Sequence, residues 1–144
     1  MEEMYVQLAK IIEEKELKIP LTVPEATQEE YRNNYLKATA SSGRLFLFAG
    51  DQKIEHLNED FYGGPACQDS VTPQHLFEIA SHARIGVFAT QLGLVARYAH
   101  AYPSINYVIK LNSKTNLVPH EQSDPISLMV NTVDQVIELK KTGP

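Results

Sequence analysis

The stretch GDQKIEH, residues 50–56, crowds an aspartate, a lysine, a glutamate and a histidine together, directly after the apolar run Leu45, Phe46, Leu47, Phe48 and Ala49. Carboxylates and imidazoles move protons near neutral pH, and a lysine supplies a cation or, once deprotonated, a nucleophile. Asp51 is the candidate for proton transfer from a substrate hydroxyl or for orienting such hydroxyls. Its plain alternative is a solvated strand-end carboxylate or a helix cap. Glu55 and His56 read equally as ligand contacts or as hydrogen-bonding residues that pin the first loop, and Lys53 reads as solvated. A second candidate is Lys110, inside the apolar segment YVIKLN. A lysine is seldom buried unless paired, so it either reaches into a ligand cleft toward an anion or lies at an exposed strand end. Asp51 is its natural carboxylate partner.

These residues need elements to position them. The run at 45–49 is short for a helix and does not alternate, so a strand over 45–50 buried on both faces fits it, as in a parallel sheet. Further strands are expected at 85–90 (IGVFAT) and 105–112 (INYVIKLN). Helical spacing appears at 3–17, where Tyr5, Leu8, Ile11 and Ile12 share a face, and again in QLGLVARYAHAY, which Pro103 stops. Thr27 with Glu30 forms a capping-box pattern opening a helix to about Lys37. Thr72 is expected to cap a helix begun by Pro73, with Leu76, Phe77, Ile79 and Ala80 inward. Ser123, Asp124 and Pro125 are expected to open the last helix, with Gly143 at its C-cap. Ser41, Ser42 and Gly43 read as a turn, and 57–71 as a long loop of the kind that tends to be functional.

Strand and helix therefore alternate after residue 43, with no tight-hairpin signal, which predicts an α/β fold with a parallel sheet. The carboxyl ends of such strands hold the ligand, and Asp51 sits at one of them. Three strands are too few to close a barrel and leave two apolar edges, so the chain is expected to be the front part of a longer protein. We expect a helical leader over 1–42 and three β/α units over 43–144.

Composition narrows the function. The 144 residues are 43% hydrophobic and 22% charged, ordinary for a folded domain. A net charge of −5, with no basic cluster interleaved with aromatics, argues against nucleic acid and anionic lipid as partners. No stretch approaches the ~18–20 apolar residues of a membrane span, and the acidic start MEEMYVQLAK is unlike a secretion signal, so a cytoplasmic protein is expected. The single cysteine, Cys67, excludes an internal disulfide and a multi-cysteine zinc site. His75, His82, His100 and His120 lack metal-ligand spacing, and no metal or other cofactor is implied. Gly63, Gly64 and Pro65 do not make a phosphate loop, because no Lys-Ser or Lys-Thr follows at the required spacing.

GDQKIEH resembles the first-strand signature of the DhnA-type class I fructose-bisphosphate aldolases of the DeoC/LacD superfamily, an Asp-His-Gly-Ile-Glu-His-like run. Asp51, Ile54, Glu55 and His56 match it, while Gln52 and Lys53 stand in place of the His and Gly. TPQHLFEIAS, RIGVFATQLGLVARYA and YVIKLNSKTNL resemble later family segments in the right order, covering residues 43 to about 143. The resemblance implies a (β/α)₈ TIM barrel of which this chain supplies the first three units. It implies an imine-forming aldolase acting on a phosphorylated ketose such as fructose 1,6-bisphosphate. Asp51 would be catalytic, and Lys110, His56 and Glu55 would bind substrate. The imine-forming lysine and its partner tyrosine are expected on later strands. Residue type alone would also permit Lys110 to form the imine. A homo-oligomer is the expected assembly. Two other readings stay open: an aldolase or transferase of the same superfamily acting on a different keto sugar, and a catalytically silent barrel with a binding role.

Overall fold

The computed structural model describes residues 17–51, 55, 68–113 and 127–143. The expected helix over 3–17 and most of the long loop after Leu57 lie outside the described residues. Three strands, β1 (Leu47–Ala49), β2 (Val87–Gln91) and β3 (Tyr107–Lys110), form one sheet in the order β1-β2-β3. β2 and β3 run parallel, with Phe88 opposite Tyr107 and Gln91 opposite Lys110. Between β1 and β2 the bonds Val87 N to Phe46 O and Gly50 N to Ala89 O advance together along both strands, which is also a parallel ladder. The crossovers are α2 (Gln74–His82) and α3 (Leu92–Tyr98), and α1 (Gln28–Ala38) precedes the sheet.

The middle strand carries the core because it alone has a strand on each side. Val87, Phe88, Thr90 and Gln91 are buried. The Phe88 ring stacks on Phe48 with centroids 5.3 Å apart and meets Phe77 of α2 edge-on at 5.0 Å. Tyr98, Tyr102 and Tyr107 complete the cluster around Phe77. Fully burying one such ring is worth roughly 1.5–3 kcal/mol, so this cluster is the main apolar anchor of the β/α units. Burial, with the neighbouring Tyr102, pushes the Tyr107 phenol up to about 12, and its hydroxyl donates to Tyr102 O at 3.0 Å.

Two compact units divide the chain: residues 1–47 with 85–87, and residues 48–84 with 88–144. In the first, α1 ends in a turn where Ala40, Ser41 and Gly43 all have positive φ, as expected of that Ser-Ser-Gly segment. Gly86 here touches the main chain so closely that a Cβ would lie 1.7 Å from Ala38 O. The second unit holds α2, α3, β3 and the C-terminal elements.

Several expectations are corrected. The first strand is shorter than 45–50 and is not buried on both faces: Leu47 is 40% exposed, Phe48 and Ala49 are half-buried, and Leu45 and Phe46, which precede the strand, are 58% and 66% exposed, because side chains on a sheet are buried only where another layer packs over their face. Thr27 makes no side-chain cap; its hydroxyl donates to Pro24 O at 3.0 Å after a 3₁₀ turn, Glu25–Thr27. Thr72 behaves alike, bonding Asp69 O, and Pro73 takes the N-cap of α2. Phe77 and Ala80 face inward as expected, whereas Ile79 is exposed.

The largest difference is near the end. Leu128–Met129 is a strand, β5, paired antiparallel with β4 (Asn112–Ser113), and the last helix, α4, spans Val133–Thr142. The expected opening at 123–125 lies outside the described residues. The true signal is Thr132 with Gln135: the Thr132 hydroxyl accepts from Gln135 N, and the Gln135 side chain accepts from Thr132 N at 2.8 Å. Gly143 is the C-cap, in an extended rather than left-handed conformation.

Candidate active site

The site is assembled at the carboxyl ends of β1 and β3. Gly50 leaves β1 with its N–H donated to Ala89 O at 2.8 Å, and it packs so close to the Phe88 ring that a Cβ would lie 2.1 Å from Cε2. Only a residue without a side chain lets the strand end this near the core ring. Asp51 follows. One turn later the Glu55 N–H points back at Asp51 O at 3.4 Å, an i to i−4 contact that sets the two carboxylates on one side of the chain.

Lys110, the last residue of β3, reaches both. Its Nζ donates to Asp51 Oδ2 at 2.6 Å and to Glu55 Oε1 at 2.6 Å. Ser113 Oγ, three residues on, donates to the same Glu55 oxygen at 3.2 Å. Desolvation pulls the ammonium toward deprotonation, but the hydrogen bonds and negative charges of Asp51 and Glu55 outweigh it, and the Lys110 pKa is raised. Lys110 is therefore a held cation, which is the opposite of what a nucleophilic amine needs. Glu55 is nearly sealed at 5% side-chain exposure while Asp51 keeps 18%, so Asp51 is the more accessible carboxylate.

Two carboxylates against one ammonium leave the triplet net negative. Such a cluster can accept a proton from a hydroxyl or hold a polyol through hydrogen bonds, and it repels a phosphate. Among the described residues no group of three or more His, Cys, Asp or Glu is placed to hold a metal ion. The structure thus brings Asp51, Glu55 and Lys110 together, while His56, with Gln52 and Lys53, lies outside the described residues.

Three polar residues escaped the sequence reading. Gln91 donates through Nε2 to Asp51 O at 3.2 Å, and the Thr90 hydroxyl lies 3.3 Å from Gly50 O. Ser113 is the third. The available signal was the abrupt change from apolar to polar after Ala89 and after Leu111, the same signal that singled out Asp51.

The family model described as DeoC/LacD family aldolase matches residues 45–144, well over half of the chain. The chain belongs to the DeoC/LacD aldolase family. Within it, the chain is 50% identical over 140 residues to the fructose-bisphosphate aldolase/6-deoxy-5-ketofructose 1-phosphate synthase of Methanocaldococcus jannaschii, covering 97% of this chain and 44% of that protein. It is 29% identical over 90 residues to a class 1 fructose-bisphosphate aldolase of Halobacterium salinarum, covering 62% of this chain and 33% of the relative. Among solved structures, the fructose-bisphosphate aldolase from Slackia heliotrinireducens superposes with a TM-score of 0.83 at 48% identity, over 89% of this chain and 40% of that one. A Schiff-base-forming fructose-1,6-bisphosphate aldolase, solved as reaction intermediates, matches with a TM-score of 0.59 at 29% identity, over 74% of this chain and 40% of its own. The family member described here therefore spans less than half the length of these relatives. Its parallel α/β architecture is that of part of an aldolase-type (β/α)₈ barrel. No helix among the described residues is long and apolar enough to cross a membrane.

Proposed function

We propose that this chain is the N-terminal part of a class I, imine-forming aldolase that cleaves or forms a carbon–carbon bond in a phosphorylated ketose such as fructose 1,6-bisphosphate. In this reading residues 1–42 are a helical leader and 43–144 the first three β/α units. The observation that carries it is the ion triplet: one accessible aspartate at the end of β1, hydrogen-bonded at 2.6 Å by a lysine that is itself too well paired to be the nucleophile.

The chemistry divides accordingly. An amine elsewhere in the protein, on a later strand with a tyrosine near it, condenses with the substrate ketone and supplies the electron sink. When the carbon–carbon bond breaks, its electron pair moves into the iminium, and the hydroxyl on the carbon that becomes the aldehyde loses its proton. Asp51 accepts that proton. Lys110 holds Asp51 in place and turns its third N–H toward a substrate oxygen. Glu55 balances the lysine and, with His56, lines the sugar. Because the triplet is negative, the phosphates are held by other parts of the protein. The reading includes a homo-oligomer in the cytoplasm and needs no metal or organic cofactor.

A second reading, action on a different phosphorylated keto sugar, is favoured by Gln52 and Lys53, which depart from the signature, and by the double name of the M. jannaschii relative. The test is made on the protein at its relatives' full length. Borohydride with fructose 1,6-bisphosphate should trap an adduct on a lysine other than Lys110, and the 144-residue chain alone should trap none. Asp51→Ala should lower kcat by on the order of 10² to 10⁴, the range for a positioned acid or base. An adduct on Lys110, or near-normal turnover by Asp51→Ala on every sugar phosphate tried, overturns the assignment.

A further inference from the structure

Three strand ends stand in a row at this site. Asp51 follows β1, Lys110 ends β3, and between them the middle strand ends in Gln91, the register partner of Lys110. Gln91 is buried, with 6% of its surface exposed, and Thr90 before it is 0% exposed. Buried amides and hydroxyls are kept only where they are hydrogen-bonded, so the partners of these two explain their presence.

Those partners are the main chain of the loop that carries the aspartate. Gln91 Nε2 donates to Asp51 O at 3.2 Å. The Thr90 hydroxyl has one proton and two acceptors in reach, Gly50 O at 3.3 Å and Gln91 Oε1 at 3.4 Å. Two consecutive carbonyls, at Gly50 and Asp51, are thus met by two consecutive side chains of β2. The peptide planes on either side of the Asp51 Cα, which carry these two carbonyls, each have a side-chain contact, and the Gly50 N–H one plane earlier is tied to Ala89 O. Fixing those planes fixes the direction in which the carboxylate leaves the chain.

We propose that Gln91 is a positioning residue: its amide holds the Asp51 main chain so that the carboxylate meets the Lys110 ammonium, and Thr90, its one proton given to the Gly50 carbonyl, holds the peptide before it. What Asp51 does once positioned rests on the aldolase reading above. The positioning itself is geometric and is tested separately.

The experiment uses the full-length protein with Gln91→Met, which keeps the side-chain length and removes both polar groups. A crystal structure of this variant should show Lys110 Nζ and Asp51 Oδ2 parted beyond hydrogen-bond reach, about 3.5 Å. kcat for cleavage of fructose 1,6-bisphosphate should fall on the order of 10- to 100-fold, the effect of displacing a reacting group by an ångström, while KM stays within about threefold. Thr90→Val should lower kcat by a smaller factor in the same direction. A residue that merely fills the core would lower the melting temperature and leave both the ion pair and the kcat-to-KM split alone. That outcome overturns the proposal, as does a fall in kcat with the ion pair intact. Should Gln91→Met fail to fold, Gln91→Glu and Thr90→Val carry the same two readouts. Wild-type protein that neither turns over nor traps an adduct defeats the aldolase reading, and the ion-pair distance in the variant still decides whether Gln91 positions Asp51.

Discussion

Lys110 shows how a residue's neighbours choose among its possible chemistries. The same side chain could be a nucleophile or a paired cation, and two carboxylates at 2.6 Å favour the cation. Its raised pKa has a definite consequence for stability. A base whose pKa is higher when folded adds stability that is fully present below its unfolded value and drains away as pH rises through the folded one. The advantage of wild type over Lys110→Met should therefore hold level from neutral pH to about 10.5 and shrink above it. Its size should be about 1 to 3 kcal/mol, between an exposed and a buried pair, since Lys110 and Asp51 both keep partial exposure. Urea unfolding of both proteins across pH 7 to 12 measures this. A difference that grows with alkaline pH would refute the pairing.

Elements are held by caps and close approaches that differ in worth. Thr132 and Thr27 both sit at N-caps, but only Thr132 closes a capping box. Thr132→Ala should cost α4 about 1 kcal/mol, speeding amide exchange in its first turn about fivefold, whereas Thr27→Ala should leave α1 within a few tenths. Equal effects at the two sites would contradict the geometry. Gly50→Ala should destabilise by about 1–3 kcal/mol, since a fully buried Phe88 ring stacked on Phe48 has no room to retreat. The urea midpoint should fall in proportion. Because Asp51 is next in the chain, kcat of the full-length protein should fall with it.

For the molecule as a whole, exposed apolar surface is the notable feature. Phe46, Leu128, Met129 and Val133 are 66%, 68%, 70% and 59% exposed, and among the described residues β1 and β3 each have an open side in the three-stranded sheet. Open strand edges and apolar patches of this kind promote association. The 144-residue chain expressed alone should bind the dye ANS and self-associate at high micromolar concentration, as light scattering would record. The protein at its relatives' full length should do so far less. A monodisperse chain that ignores the dye would show that these surfaces are already covered.

The three strands, the place of Asp51 and its pairing with Lys110 were legible because each follows from a local pattern: an apolar run, a polar break, and a lysine in apolar company that must find an anion. Residues 128–133 were not legible in that way. The run Leu128, Met129, Val130 suits a helix or a strand, and the choice fell to Asn112 and Ser113, which supply β5 with a partner. Gln91 likewise reads as the start of a helix until the register with Lys110 and the bond to Asp51 O place it at a strand end. Leu45 and Phe46 look like core, yet burial needs an element packed over the face they point to, and whether one lies there is not written in their own residues. Side-chain type and spacing specify what bonds a segment can make. Which of them form is set by partners distant in the chain, and those are brought within reach only when the sheet closes around Phe88.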